Sequence, residues 1–426
     1  MSHSLFKRIK ELITCSKFIK DGVFFFSFTE NFNRNLYIFL LILSSVFFFL
    51  FQDARNLANF FYSHTLNWDS YVYYCGSNIL IQGLDPYDHT ILRECLPGSW
   101  NFFYNMPPSL LYVYYLPSKL SIESYILSIT LINITLLIFT LKEFFKKFKL
   151  SSSFNKFVFI ILSLTIWDGS AFIAFYTGNV GFTISLIYLY FLLNLNKSNQ
   201  NKFLLFIFIS TLIKPIYILY LGTIFFFNKS ISESIKKSLA TLMLIILAYV
   251  VQFILIKDTT IGFFENLKNL SDSSDMGFGF LATIISIEEV LGIEITKRTN
   301  LIISIVLSAG TFSFCLFYFR RYFKELSNYS YLLVPVIILI CFPRIKVYDA
   351  IFALPSICYI PILINDMIEK KKFDMKKSKI FTTKIIMFFC IIYNVFIYSS
   401  WEAVHFFVLP IIAILVIFQT KLNEEV

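Results

Sequence analysis

The sequence is short of charge. Asp, Glu, Lys and Arg make up 15% of its 426 residues, where a soluble domain carries about 25%. That shortage excludes a large soluble domain. Metal-ligand spacing is missing too: the 7 cysteines and 4 histidines form none of the short clusters that hold zinc. The N-terminal region lacks the small-residue cleavage pattern of an exported leader. Its first apolar stretch is therefore expected to stay as a helix, with the amphiphilic segment from Phe18 to Phe28 on the inner membrane surface. No inverted repeat is evident, which weighs against a transporter fold.

What the chain has in excess is apolar and aromatic. It is 57% hydrophobic, with 53 Phe and 25 Tyr and a mean hydropathy of +0.70. Apolar runs recur along its length, many near the roughly 20 residues that cross a bilayer. In hydrocarbon the backbone must satisfy its own hydrogen bonds, so such runs are helical. The prediction is an all-α polytopic membrane protein, one integral domain with about 10–13 membrane segments. Spans are expected at 35–51, 122–141, 157–175, 179–195, 238–256, 301–319, 329–342, 349–365, 380–398 and 403–419.

Basic clusters separate these runs, at Lys7–Lys20, Lys142–Lys156, Lys197–Lys202, Lys229–Lys237, Arg320–Lys324 and Lys370–Lys384. Placed together with both termini in the cytoplasm, the loops of this side hold 27 of the 37 basic residues and 11 of the 27 acidic ones. That is the positive-inside asymmetry. It leaves an acidic outer face, a poor surface for nucleic acid. The short loops suit a bacterial inner membrane.

Two segments break the rhythm. If 107–120 crossed the membrane, the next basic loop would land outside. It is expected to be a short helix lining a cavity, unless a neighbouring span is misplaced. Segment 203–227 is interrupted at Lys214-Pro215 between basic flanks. A hairpin of two half-length helices with Lys214 near its tip fits, as does one kinked span if a loop elsewhere is misassigned. Two long outer loops, 52–106 and 257–300, lie beside these breaks, and a substrate cavity is expected there. The first holds an aromatic helix from Tyr71 to Gln82, ended by Gly83. Cys75 and Cys95 in this loop form a disulfide in an oxidising compartment or remain two thiols.

Few residues are placed to do chemistry. Asp69, in Trp68-Asp69-Ser70-Tyr71, is a carboxylate just outside the hydrocarbon. It can take a proton from a sugar hydroxyl or cap the helix that follows. Asp85 lies in a Gly-Pro turn, where it is structural or binds a sugar hydroxyl. Tyr104 and Asn105, before a double proline, are plausible walls of the same cavity. Lys214 is an isolated cation in an apolar stretch, and such a residue is functional by default. A lipid phosphate is its natural counter-ion; snorkelling or pairing with Asp168 are alternatives. Arg344 and Lys346 on the acidic side ask for an anion, phosphate first, or pair with Asp349 or a nearby loop carboxylate. Asn179, after Gly178 in a tight outer turn, could hydrogen-bond a sugar. Asp272 and Asp275 could bind a divalent cation, though two carboxylates are a thin ligand set.

In order along roughly 65–360, these pieces resemble a known family. They are Asp69 with Val72-Tyr73-Tyr74, Gly83–Tyr87, Phe103-Tyr104-Asn105-Met106-Pro107-Pro108 with Pro117, Gly178-Asn179, Lys214-Pro215, and Pro343-Arg344 with Tyr348-Asp349. The set is similar to the polyprenol-phosphate-dependent GT-C glycosyltransferases, specifically glycosyltransferase family 87. The resemblance implies a GT-C-like helical bundle with an extracytoplasmic active site. It also implies an inverting transfer of a sugar, often mannose, from a polyprenol phosphate to a lipid or glycan acceptor. Asp69 is then the base. Lys214, Arg344 and Lys346 hold the donor phosphate, and Tyr73, Asp85, Tyr104, Asn105, Asn179, Tyr348 and Asp349 face sugar or acceptor. The family's glycine-glutamine pair is Gly178-Asn179 here, a departure. A lipid phosphate leaves without metal help, so no cofactor is required. The rival reading is a transporter or flippase, which broken helices and an intramembrane lysine suit equally.

Overall fold

The computed structural model describes residues 67–97, 104–150, 153–196, 198–271, 279–292, 295–323 and 328–369, with Pro410, Ile411, Ala413, Ile414 and Ile417 beyond them. The spans expected at 35–51 and 380–398, most of 403–419, the Phe18–Phe28 segment, Asp272, Asp275 and the Asp168 side chain lie outside this description. Among the described residues the structure is helical, with no β-sheet.

Among the described residues three helices are long and apolar enough to cross a membrane: α4 (Ile122–Lys147), α9 (Ile231–Leu255) and α12 (Lys297–Tyr322). Each starts at a hydroxyl cap, Ser121, Ser230 or Thr296, that accepts from a backbone amide of the first turn. Their most apolar stretches are only 17%, 11% and 11% buried. Leu127, Leu131, Leu255 and Val306 stand exposed. Against water each such side chain costs about 25 cal/mol per Å²; against lipid tails it costs nothing. That is the pattern of a helical membrane protein, and among the described residues these three helices carry the exposed apolar faces that suit lipid.

After α5 (Ser153–Thr177), 25 residues long, come shorter helices that supply much of the interior: α6 (Val180–Leu193), α7 (Gln200–Ile213), α13 (Asn328–Ile340) and α14 (Leu354–Glu369), the last preceded by a 3-10 turn at Val347–Ala353. α13 buries every residue from Leu332 to Ile340. The spans expected from 122 to 365 are all helical. However, α6 and α7 have 14 residues each and α13 has 13, short of a full crossing. A helix apolar all round belongs either in lipid or in a core; α6 and α13 are largely buried, while α7 leaves Leu205 and Ile209 exposed.

Segment 203–227 is the hairpin. Pro215 has no N–H and holds Lys214 extended (φ −149°, ψ 112°). The chain turns there into a 3-10 stretch, Pro215–Leu221, and then α8 (Gly222–Phe227). Its two ends meet: Gln200 Nε2 donates to Asn228 Oδ1 at 2.5 Å. The basic loops gather at this same end. Lys237 Nζ donates to Gln200 Oε1 at 2.6 Å, Arg320 Nη1 to the Lys229 carbonyl at 2.9 Å, and Asn328 Nδ2 to the Lys147 carbonyl at 3.2 Å.

The outer loops carry their own helices. α1 (Trp68–Ile81) is followed by Gly83 in the left-handed region (φ +76°), and α2 (His89–Cys95) is capped by Asp88. Cys75 and Cys95 are disulfide-bonded, with Cα atoms 5.7 Å apart, so the two-thiol alternative is not the one realised. Segment 107–120 is α3 (Pro108–Tyr115) and a 3-10 turn at Pro117–Lys119. Eight residues span ~12 Å, too short to cross. Ser109 Oγ donates to the Leu212 carbonyl, which sets α3 against the hairpin tip. The second loop supplies α10 (Lys257–Ser271) and α11 (Phe280–Leu291). Tyr87 packs on Gly262 of α10 and donates to the Met106 carbonyl at 2.8 Å, joining the two loops.

Candidate active site at the α5–α6 corner

Two residues turn the chain from α5 into α6. Gly178 has φ +69°, and a Cβ there would lie 2.0 Å from Ser70 Oγ. Only glycine permits both the angle and the approach. This seats the start of α1 on the corner: Ser70 Oγ donates to the Gly178 carbonyl at 3.3 Å, and the Asn67 amide donates to the Tyr176 carbonyl at 3.0 Å. Asn179 is the N-cap of α6. Its Oδ1 accepts from the Gly181 amide at 2.7 Å, and its Nδ2 donates to Asp69 Oδ2 at 2.9 Å.

Asp69 lies in the first turn of α1, behind an N-cap position held by Asn67. Its carboxylate reaches across to Asn179, so the capping alternative is not realised. Burial pushes its pKa above the ordinary carboxylate value. Hydrogen bonds from Asn179, Thr177 and Trp68 and the charge of Lys214 pull it the other way.

A second polar group stands at the hairpin tip. Lys214 Nζ donates to Asp349 Oδ2 at 2.5 Å, and Tyr217 Oη donates to Asp349 Oδ1 at 2.8 Å. The two charged side chains are 17% and 2% exposed. Lys214 Nζ lies 5.1 Å from the Tyr348 ring centre, and Lys346 Nζ lies 5.8 Å from it. The two groups meet at Gly181, where a Cβ would fall 2.6 Å from Asp349 Oδ1, 2.8 Å from Asn179 Oδ1 and 3.0 Å from Tyr217 Oη. Tyr73 is buried between them. Its ring stacks on Tyr114 at 5.4 Å, and its hydroxyl is within electrostatic reach of Asp69 and Tyr348.

The structure thus brings together Asp69, Tyr73, Asn179, Lys214, Lys346, Tyr348 and Asp349. Three expectations change. Lys214 was expected to await a lipid phosphate, with Asp168 as an alternative partner; its counter-ion is Asp349, because a desolvated ammonium needs a charge beside it in the resting fold. Asp349, expected against sugar or paired with Arg344 or Lys346, has both oxygens taken by Lys214 and Tyr217. Asn179, expected to touch a sugar, is buried and spends both ends of its amide within the protein.

Asp85 stands apart. It is exposed, and its Oδ1 accepts from the Tyr87 amide at 2.9 Å, the turn role. Asn105 is exposed. Tyr104 is buried edge-on to Tyr87 at 5.5 Å and closes on Gly76, so it packs the first loop instead of walling the cluster. Arg344 is partly buried in the turn after α13, whose Pro343 carbonyl accepts from the Leu281 amide at 2.9 Å. Sequence reasoning missed Tyr217 and Gly181. The signal available was the second glycine of Gly178-Asn179-Val180-Gly181 and a tyrosine three residues beyond Lys214. Among the described residues no three His, Cys, Asp or Glu side chains gather to hold a metal. Compared with protein-family models, curated proteins and solved structures, the chain matches none.

Proposed function

We propose that the chain is an inverting glycosyltransferase that moves a sugar from a polyprenol-phosphate donor to a lipid or glycan acceptor, in the manner of GT-C enzymes of glycosyltransferase family 87. The observation that carries this reading is that Asn179, which holds the first-loop carboxylate Asp69, and Asp349, which holds Lys214, meet at Gly181, with Asp69 within electrostatic reach of Lys214. The acceptor hydroxyl attacks the anomeric carbon on the face opposite the phosphate, and Asp69 takes its proton. A carboxylate with a raised pKa is a stronger base, and Asn179 fixes its orientation. The phosphate leaves with the bonding electron pair. Lys346 and Arg344 meet its charge, and Lys214, with three donors and one given to Asp349, adds to the field.

The basic end is read as cytoplasmic, with both termini there and the site on the far side of a bacterial inner membrane. α7 rises 14 residues, ~21 Å, from that end to Lys214. In a hydrocarbon core of about 30 Å, a rise of that length supports a site toward the outer side. The Cys75–Cys95 disulfide suits an oxidising exterior. The test is Asp69→Asn, assayed in membranes with labelled polyprenol-phosphate sugars and added acceptors. The variant is expected to insert, form its disulfide and lose transfer; wild-type turnover would remove Asp69 from the base role.

A second reading rests on the hairpin, since a Lys–Asp pair at the tip of a broken helix also suits a transporter. Reconstituted vesicles separate the two: transport leaves the solute unmodified, and transfer makes a new glycosidic bond.

A further inference from the structure

α4 carries a stripe that the corner site does not use. Ile138, Leu141, Lys142, Phe145 and Lys146 follow one another at helical spacing, which puts them on one face. Leu150 and Lys156, from the turn after α4 and the first turn of α5, close the other side. Together they line an open groove of about 510 Å³. Its position along the helix is informative. Ile122 to Leu141 spans ~30 Å, the thickness of a hydrocarbon core. Ile138 is 59% exposed at the end of that stretch. With that stretch in the hydrocarbon, Lys142 falls at the water boundary and Lys146 one turn further, at the level of lipid headgroups.

Among the described residues no salt bridge reaches Lys142, Lys146 or Lys156, and Lys156 Nζ lies 5.9 Å from the Phe145 ring centre. Lys147 points elsewhere and is engaged: its Nζ donates to the Leu193 carbonyl at 3.1 Å and lies 3.6 Å from the Tyr331 ring centre. The helix dipole accounts for a lysine in the last turn of α4. It does not account for Lys142 a turn earlier, and it opposes Lys156 in the first turn of α5.

We propose that this groove binds an anionic phospholipid, with an acyl chain along Ile138 and Leu141 and the headgroup phosphate among Lys142, Lys146 and Lys156. A zwitterionic lipid brings its own cation and loses most of the attraction. A free phosphate fills only the charged end and leaves the apolar end unused. The groove stands apart from the corner site: Lys147 is level with Leu193, twelve residues along α6 from Gly181, ~18 Å at 1.5 Å per residue.

The full-length protein is reconstituted in equal phosphatidylglycerol and phosphatidylcholine and extracted in mild detergent, and its retained lipid is identified by native mass spectrometry. Wild type is expected to retain one phosphatidylglycerol over phosphatidylcholine by about tenfold. Lys142→Gln/Lys146→Gln/Lys156→Gln is expected to lose the preference, while the triple arginine variant and Lys202→Gln/Lys229→Gln/Lys236→Gln keep it. Equal retention of the two lipids by wild type overturns the proposal. So does an unchanged preference in the groove glutamine variant, equal loss in the control set, or displacement of the lipid by millimolar inorganic phosphate.

Discussion

Replacing Gly181 with alanine adds one methyl group where the two polar groups meet. Ordinary contact begins at 3.4 Å, and the new Cβ would lie 2.6 Å from Asp349 Oδ1, 2.8 Å from Asn179 Oδ1 and 3.0 Å from Tyr217 Oη. These atoms must retreat by about 0.8, 0.6 and 0.4 Å respectively, the differences from that limit. The bonds they make are 2.8 Å between Tyr217 and Asp349 and 2.7 Å between Asn179 and the Gly181 amide. Retreats of that size take both to the edge of hydrogen-bonding range. Losing a hydrogen bond to a charged group costs about 1.5–3 kcal/mol, and losing a cap costs about 1 kcal/mol. We expect Gly181→Ala to lose about 2–4 kcal/mol of stability. Because Asn179 also holds Asp69, transfer should fall about 100-fold, the usual cost of moving a reacting group by ~1 Å. Thermal unfolding in detergent reads the first effect, and labelled-sugar transfer by the folded fraction reads the second. If Gly181→Ala matched wild type in both, Gly181 would not join the two halves and the corner would not be one site.

Three further outcomes follow from the same geometry. Asp349→Ala strands a largely buried ammonium and should cost about 3–5 kcal/mol, while Asp349→Ala/Lys214→Met recovers much of it; a double variant as unstable as the sum of the singles would show that the two side chains do not act as a pair. Asn179→Ala removes a hydrogen bond that lowers the Asp69 pKa, so the acid limb of the transfer profile should move to higher pH, with kcat falling more than KM; an unmoved limb in an active variant would separate Asn179 from the base. The same shift sets a sign for stability. The folded-state pKa of Asp69 is raised, so its contribution is fully present below the unfolded carboxylate pKa, near 3.9, and is lost as pH rises through the folded value. Asp69→Asn, the proposed activity test, should therefore not lower stability at neutral pH.

Local features were legible because local chemistry causes them. A proline without an N–H breaks 203–227 at Lys214 whatever surrounds it, and Gly83 ends α1 because its angle suits no other residue so well. Charge shortage and apolar runs sufficed for the helical membrane class. What packs against what was not legible. α13 and α9 are both apolar, yet α13 is buried and the apolar stretch of α9 is only 11% buried. Hydropathy measures transfer out of water, and both destinations satisfy it.

The sequence by itself determined that this chain is a helical membrane protein, broken at Lys214-Pro215, with its few polar residues set beside that break. Only the tertiary structure decided that Lys214 pairs with Asp349, 135 residues away, and that Asn179 holds Asp69 across 110 residues. Along the chain Lys214 had several anions to choose from. A charge taken out of water settles on whichever opposite charge packing places within contact, and packing is a property of the whole fold.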